Sequence, residues 1–260
     1  MGELLLEDRV AVISGAGQGI GLGIARAFGR EGARVIIGEL VADRGEAAAS
    51  ALASEGHRVQ AIPLDVTAPD SCTSLVESVL AEHGRIDILV NCAGICLPNT
   101  VENATLEEWH ATLAVNVDGT FFGCQSAVAA MKDRGGAIVN FSSISGLTAN
   151  ADMFAYDASK GAVRGMTKEV AIYCCARGYA IRCNSVHPGT IETPMVTSFF
   201  DEHSDDPSSW VAAQAIKRFG TPDEVAAMVA FLASDDSSFS TGAEFVIDGG
   251  LMAGETQGWE

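Results

Sequence analysis

The sequence predicts an α/β fold in one domain over residues 1–260: a doubly wound parallel sheet of about seven strands, with helices on both faces. Three observations predict it. Short runs rich in Val and Ile recur along the chain and are apolar almost throughout, the pattern of strands buried on both faces. Amphipathic stretches of helical length separate them, so consecutive strands are joined by crossovers and pair in parallel. A glycine-rich turn stands directly between the first strand and the first helix.

In chain order, Val10–Ser14, Arg34–Gly38, Val59–Leu64, Asp87–Val90 and Ala137–Phe141 read as buried strands. Ile20–Arg30, Ala42–Ser54 and Asp70–His83 between them read as helices. Longer helices are expected over Leu106–Lys132 and Ala155–Ala176, and further strands over Ile181–Val186 and Glu244–Ile247. No repeat, low-complexity tract or linker interrupts this order. The one compositional break is Phe199–Ser209, acidic and turn-prone. It reads either as a solvated surface loop or as part of a mobile substrate lid over about 193–215.

Composition narrows the function. Hydrophobic residues make up 48% and charged residues 19%, enough to form a sizeable core. The formal charge is −18, from 16 basic and 34 acidic residues. Such a surface repels nucleic-acid phosphates and anionic lipid, so neither is an expected partner. The N-terminal MGELLLEDRV lacks the basic and long apolar regions of a signal peptide, and Leu6 stands where a myristoylation motif needs Ser or Thr. No apolar run reaches the roughly 18 residues of a membrane span, and a cytoplasmic location is expected. The seven cysteines are odd in number, which fits reduced thiols. Cys92 and Cys96 lie four apart and Cys174 and Cys175 are adjacent, but neither pair has zinc-site spacing. No metal is expected, and the cysteines read as small buried apolar residues.

The first strand runs into Ser14-Gly15-Ala16-Gly17-Gln18-Gly19-Ile20-Gly21. Glycines in such a turn let the backbone approach a pyrophosphate, while the helix start offers unpaired N–H groups. The plainer reading is a tight strand-to-helix connection. Position after the first strand favours cofactor binding, through Gly15, Gln18, Gly19, Ile20 and Gly21. The second strand leads to Glu39, eighteen residues past Gly21. A carboxylate there accepts hydrogen bonds from adenosine ribose hydroxyls and repels a 2′-phosphate, which favours NAD over NADP. Gln18 agrees, since no Arg or Lys stands in the loop.

Further along come Asp65-Val66, Asn91-Cys92-Ala93-Gly94, Asn116-Val117-Asp118-Gly119, a serine cluster at Ser142-Ser143-Ile144-Ser145-Gly146, and Tyr156-Asp157-Ala158-Ser159-Lys160. Tyr156 and Lys160 are i and i+4 on a helix and share a face. A free Tyr has a pKa near 10; a neighbouring ammonium and an oxidised nicotinamide both favour the phenolate. With the glycine loop, this set resembles the short-chain dehydrogenase/reductase family over essentially the whole chain.

The resemblance implies a Rossmann-type fold and a catalytic set of Asn116, Ser143, Tyr156 and Lys160. Ser143 is preferred to Ser142 and Ser145 because the family pattern has Gly three residues later, here Gly146. Tyr156 exchanges the carbinol proton, Ser143 holds the substrate oxygen, Lys160 binds the nicotinamide ribose and lowers the Tyr156 pKa, and Asn116 holds a water. Asp65 and Val66 meet the adenine; Asn91, Ala93 and Gly94 shape the sheet edge at the cofactor. His187-Pro188-Gly189-Thr190-Ile191-Glu192-Thr193 resembles the segment along the nicotinamide, implying contacts from Pro188, Gly189, Ile191 and Thr193. His187 reads as a packing residue, since the base is already supplied.

The stretch Ile172–Pro188 looks most like 3β/17β-hydroxysteroid dehydrogenases and NAD-dependent secondary and cyclic alcohol dehydrogenases. An apolar pocket of Ile95, Leu147, Met153, Met195 and Phe199 beside Ser143 would suit a hydrophobic alcohol or ketone. Two alternatives stay open. A 3-oxoacyl carrier-protein reductase is disfavoured by Glu39, Gln18 and the acidic charge. A non-catalytic NAD-binding regulator is disfavoured by the intact four-residue set. The C-terminal motifs, from Arg218-Phe219-Gly220 to Asp248-Gly249-Gly250, imply a 222-symmetric homotetramer. Ala215-Ile216-Lys217 stands where family members carry a Pro, and the tail Glu255–Glu260 extends beyond the motifs.

Overall fold

The computed structural model describes residues 4–203 and 210–254. The tail Glu255–Glu260 and the end of the acidic break, Ser204–Ser209, lie outside the described residues. The strands are β1 (Val10–Ser14), β2 (Arg34–Glu39), β3 (Arg58–Pro63), β4 (Ile88–Asn91), β5 (Gly136–Phe141), β6 (Ile181–Pro188) and β7 (Glu244–Ile247). They form one parallel sheet in the order β3-β2-β1-β4-β5-β6-β7. The helices are α1 (Gly19–Arg30), α2 (Ala42–Ser54), α3 (Pro69–His83), α4 (Leu106–Leu113), α5 (Gly119–Met131), α6 (Phe154–Ala176), α7 (Pro194–His203) and α8 (Pro222–Ala233).

Strand side chains alternate between two cores, which is why the strand sequences are apolar throughout. On one face Ala11, Ile13, Val35 and Ile37 pack with Ile24 and Phe28 of α1, Leu52 of α2, and Val225, Val229 and Leu232 of α8. On the other Val10, Val12, Ile36, Leu89 and Ile138 meet Leu75 and Val79 of α3, Cys124 and Met131 of α5, and Ala171 and Cys174 of α6. Helices therefore cover both faces, as the sequence predicts.

Helix ends follow local chemistry. Thr105 and Glu108 form a reciprocal capping box at α4, and Thr221 and Glu224 form one at α8, where Pro222 takes the first turn. At the end of α3, Gly84 adopts φ +71°, the left-handed stop that glycine takes without strain.

Four expectations need correction. The helix expected over Leu106–Lys132 is two helices, α4 and α5, joined by a π-helical turn at Ala114–Asp118. The extra residue per turn re-aims the side chains inside it, and Asn116 is turned inward to 1% exposure. Asp87 is not part of β4: its carboxylate accepts from the Val10 N–H at 2.8 Å and pairs with Arg85, tying the start of β1 to the residue before β4. The acidic break begins as helix, because α7 runs through Phe199 to His203 after a Pro194 start. Cys175 is exposed, whereas Cys72, Cys124, Cys174 and Cys183 are buried.

Candidate active site

Strand order reverses direction at β1, whose neighbours β2 and β4 carry the chain to opposite sides. Open α/β sheets bind ligands at such a switch point, beyond the carboxyl ends of the strands. A cavity of about 320 Å³ lies there, lined by the glycine loop, Glu39, Asp65, Ala93, Gly94, Ser143, Tyr156, Lys160 and the segment after β6.

At Gly15 and Gly21 the loop has no room for a side chain. Gly15 and Gly19 take φ +66° and +56°. A Cβ on Gly15 would sit 2.7 Å from the Ala93 Cα, and one on Gly21 would sit 2.4 Å from the Gly15 carbonyl oxygen. Gln18 makes no side-chain cap at the start of α1, leaving first-turn N–H groups open to an anion. Ser14, at the end of β1, accepts from the Cys92 and Ala93 N–H groups at 3.1 and 3.2 Å, tying the loop's base to β4. These close backbone approaches fit a dinucleotide cradle.

Glu39 is only 4% exposed and is engaged on three sides. It accepts from Gly17 N–H at 3.1 Å, Val41 N–H at 3.2 Å and the Arg44 guanidinium at 2.5 Å. Burial pushes its carboxyl up, but the bonds from Arg44 and the two backbone groups outweigh that and hold it below the ordinary value. Arg44 is the residue that sequence reasoning missed here. It lies on α2, five residues beyond Glu39, yet it lines the same cavity, and its Nε is buried with no partner among the described residues. The Asp65 carboxylate accepts from Thr67 N–H and hydroxyl at 2.9 and 2.7 Å, which closes the turn after β3.

Ser143, Tyr156 and Lys160 meet at the other end of the cavity. The Lys160 ammonium donates to the Phe141 carbonyl at 2.9 Å and lies 5.4 Å from the Tyr156 ring centre. Burial lowers the Lys160 pKa to about 8. Burial also raises the Tyr156 pKa, with the Ser143 hydroxyl bond pulling it down. The lowering of the Tyr156 pKa expected from Lys160 is not among the causes acting here: besides burial, Cys96, Asp157 and Cys92 push it up, and only Ser143 pulls it down. Cys92 lines the cavity, and burial pushes its thiol up to about 12; the thiol of Cys96, beside Tyr156 and Lys160, goes up to about 11. Both stay protonated at neutral pH.

Gly15, Gln18, Gly19, Ile20, Gly21, Val66, Pro188, Gly189, Ile191 and Thr193 line the cavity, as do Ile95 and Met195. Five expected residues do not. Asn91 faces the interior, donating to Asn140 at 2.9 Å. The Asn116 amide is occupied by Ile95, accepting from its N–H and donating to its carbonyl, both at 2.9 Å, and also reaches Ser159. Leu147 follows a 3₁₀ turn and Met153 immediately precedes α6, and neither reaches the cavity wall. Phe199 packs against Trp210 with ring centres 5.0 Å apart.

Comparison with known proteins gives the class. The family described as enoyl-(acyl carrier protein) reductase matches residues 15–252. An NADP-dependent (R)-specific alcohol dehydrogenase of Lentilactobacillus kefiri is 40% identical over 250 residues, covering 95% of this chain and 98% of that protein. A 3-alpha-(or 20-beta)-hydroxysteroid dehydrogenase of Mycobacterium bovis is 42% identical over 250 residues, covering 96% and 91%. The crystal structure of gox2181 superposes with a TM-score of 0.92 at 38% identity, covering 97% of this chain and 98% of that one. The chain belongs to the short-chain dehydrogenase/reductase family. That family binds a nicotinamide cofactor, and the cradle above fits one.

Proposed function

We propose that this protein is an NAD(H)-dependent oxidoreductase that interconverts a hydrophobic secondary alcohol, cyclic or hydroxysteroid-like, and its ketone. One observation carries the reading: Ser143, Tyr156 and Lys160 line the same cavity, with the Lys160 ammonium 5.4 Å from the Tyr156 ring centre. A phenol so placed takes the proton of a carbinol, or returns one to a carbonyl oxygen. Ser143 donates to that oxygen and stabilises its developing charge. Lys160 would bind the nicotinamide ribose and relieve the burial that opposes ionisation of Tyr156. The bound cofactor supplies the hydride acceptor or donor, while the protein supplies geometry and proton traffic. Alcohol and hydroxysteroid dehydrogenases at 40 and 42% identity support this substrate class, as do the apolar Ile95 and Met195 on the cavity wall.

The choice of NAD rests on Glu39, whose buried carboxylate stands at the end of β2 and opposes a second phosphate there. Arg44 does not cancel this, because Glu39 already holds it. The Lentilactobacillus relative is NADP-dependent, so the cofactor is the point most in need of a test. The same reading makes the chain from Thr193 to about residue 215 a lid, with Asn116 holding a water after its amide turns from Ile95. It also makes the molecule a cytoplasmic homotetramer. A panel of secondary alcohols and hydroxysteroids, offered with NAD and with NADP, tests it through the absorbance of reduced nicotinamide. Turnover with NAD is expected; better turnover with NADP would overturn the role given to Glu39.

A further inference from the structure

His187 belongs to none of the roles above. It lies on β6, is fully buried at 0% exposure, and does not line the cavity. Both its ring nitrogens are engaged. Nδ1 is 3.0 Å from the backbone carbonyl oxygen of Ser143, and Nε2 is 2.9 Å from the Ser185 hydroxyl. A carbonyl can only accept, so Nδ1 carries the hydrogen; in the neutral ring Nε2 then accepts from Ser185. Burial keeps the imidazole pKa below its ordinary value, the Ser143 contact pulling the other way, so the neutral ring that this arrangement needs is the stable one.

What this contact holds is the residue beside the reacting oxygen. β5 ends at Phe141, and the chain leaves the ladder through Ser142. Ser143 is fully extended, at φ −165° and ψ 166°, before the 3₁₀ turn Ile144–Gly146. Its hydroxyl accepts from Ser145 N–H at 3.2 Å on the cavity that Tyr156 also lines, while its carbonyl points back to His187. Downstream, Arg164 donates to the Gly146 carbonyl at 2.9 Å and so fixes the far end of the turn. Ser143 thus sits on a short span pinned from behind by an imidazole and ahead by a guanidinium.

We propose that His187 is a positioning residue for Ser143: its Nδ1–H clamps the serine's carbonyl and thereby sets where the Ser143 hydroxyl meets the substrate oxygen. The inference rests on the catalytic reading of Ser143. Ser185 completes the device by donating its hydroxyl hydrogen to Nε2, which accommodates the tautomer that the Ser143 carbonyl sets.

Two measurements test it. ¹⁵N shifts of labelled histidine in the intact protein report the tautomer without any turnover. The Nδ1–H form is expected for His187; the Nε2–H form would overturn the clamp even if no alcohol is ever oxidised. The kinetic arm compares His187→Leu with His187→Asn, whose amide places a donor near the Nδ1 position. His187→Leu should lower kcat about 10- to 100-fold, the cost of a small misplacement of a reacting group, with NADH binding unchanged. His187→Asn should recover most of that loss, and His187→Leu should add nothing in a Ser143→Ala background. Equal loss in both variants, or losses that multiply with Ser143→Ala, would sink the proposal. Wild-type protein that turns over no alcohol while showing the Nδ1–H tautomer would count against the functional reading and leave the clamp standing.

Discussion

Tyr156 is the proposed proton-exchanging residue, and its setting is ambivalent. Burial opposes its ionisation, and the Ser143 hydroxyl only partly offsets that. Tyr156→Phe keeps the ring and removes the proton-exchanging oxygen, so turnover should fall by about 10²- to 10⁴-fold while NADH fluorescence titrations show little change. Glu39 sits at the other end of the cavity and holds both the loop, through Gly17, and Arg44. Glu39→Ala removes the repulsive carboxylate and frees the Arg44 guanidinium for a phosphate. The ratio of kcat/KM for NAD over NADP should therefore drop by about tenfold or more, the effect of one charged hydrogen bond. Glu39 was legible from its place after the second Val/Ile run. Arg44 was not, because a basic residue early in a helix is common, and only the fold turns this one onto the strand end.

At the scale of elements, the strands were readable because each is buried on two faces and therefore apolar without interruption. The glycine loop was readable because side chains there would strike backbone, as at Gly15 and Gly21. The π-turn at Ala114–Asp118 was not, since one extra residue in a helix leaves an apolar pattern nearly unchanged. The same limit hid Leu147 and Met153, whose direction depends on the path of the loop around them. Caps are better determined. Thr221 accepts from Glu224 N–H at 3.3 Å, and Glu224 returns to Thr221 N–H at 2.8 Å. Thr221→Ala should lower the stability of α8 and the sheet face it covers by about 1 kcal/mol, read as a shift in the urea midpoint with unchanged slope.

For the molecule as a whole, buried titratable groups set the acid limb of stability. His187 is held below its ordinary pKa of 6.5, so the unfolded chain binds a proton there that the native protein does not. Its contribution is complete above 6.5 and is lost as the pH falls below that value. Glu39, held below 4.5, adds its own loss only in more acid solution. From neutral pH downward, urea midpoints should therefore fall under 6.5, and His187→Asn should flatten the curve between 6.5 and 4.5. Apolar side chains on the surface bear on assembly. Ile172 of α6 and Phe239 near β7 are 65% and 104% exposed. Burying such faces between copies would produce the proposed tetramer, so light scattering at micromolar protein should give four times the 27.0 kDa chain mass. A monomeric mass would refute it. Among the described residues, no helix is long and apolar enough to cross a membrane.

The strand order also sets a schedule for synthesis. β2 and then β3 extend the sheet to one side of β1, and β4 joins β1 on its free side. From there each new strand needs only the edge left by the one before it: β5 on β4, β6 on β5 and β7 on β6. No later strand has to be inserted between two already paired. A ribosome releasing the chain from its N-terminus can thus finish the half that carries the glycine loop by Asn91 and add the other half by growth at a single edge. Ser143, Tyr156 and Lys160 emerge onto a floor that is already laid.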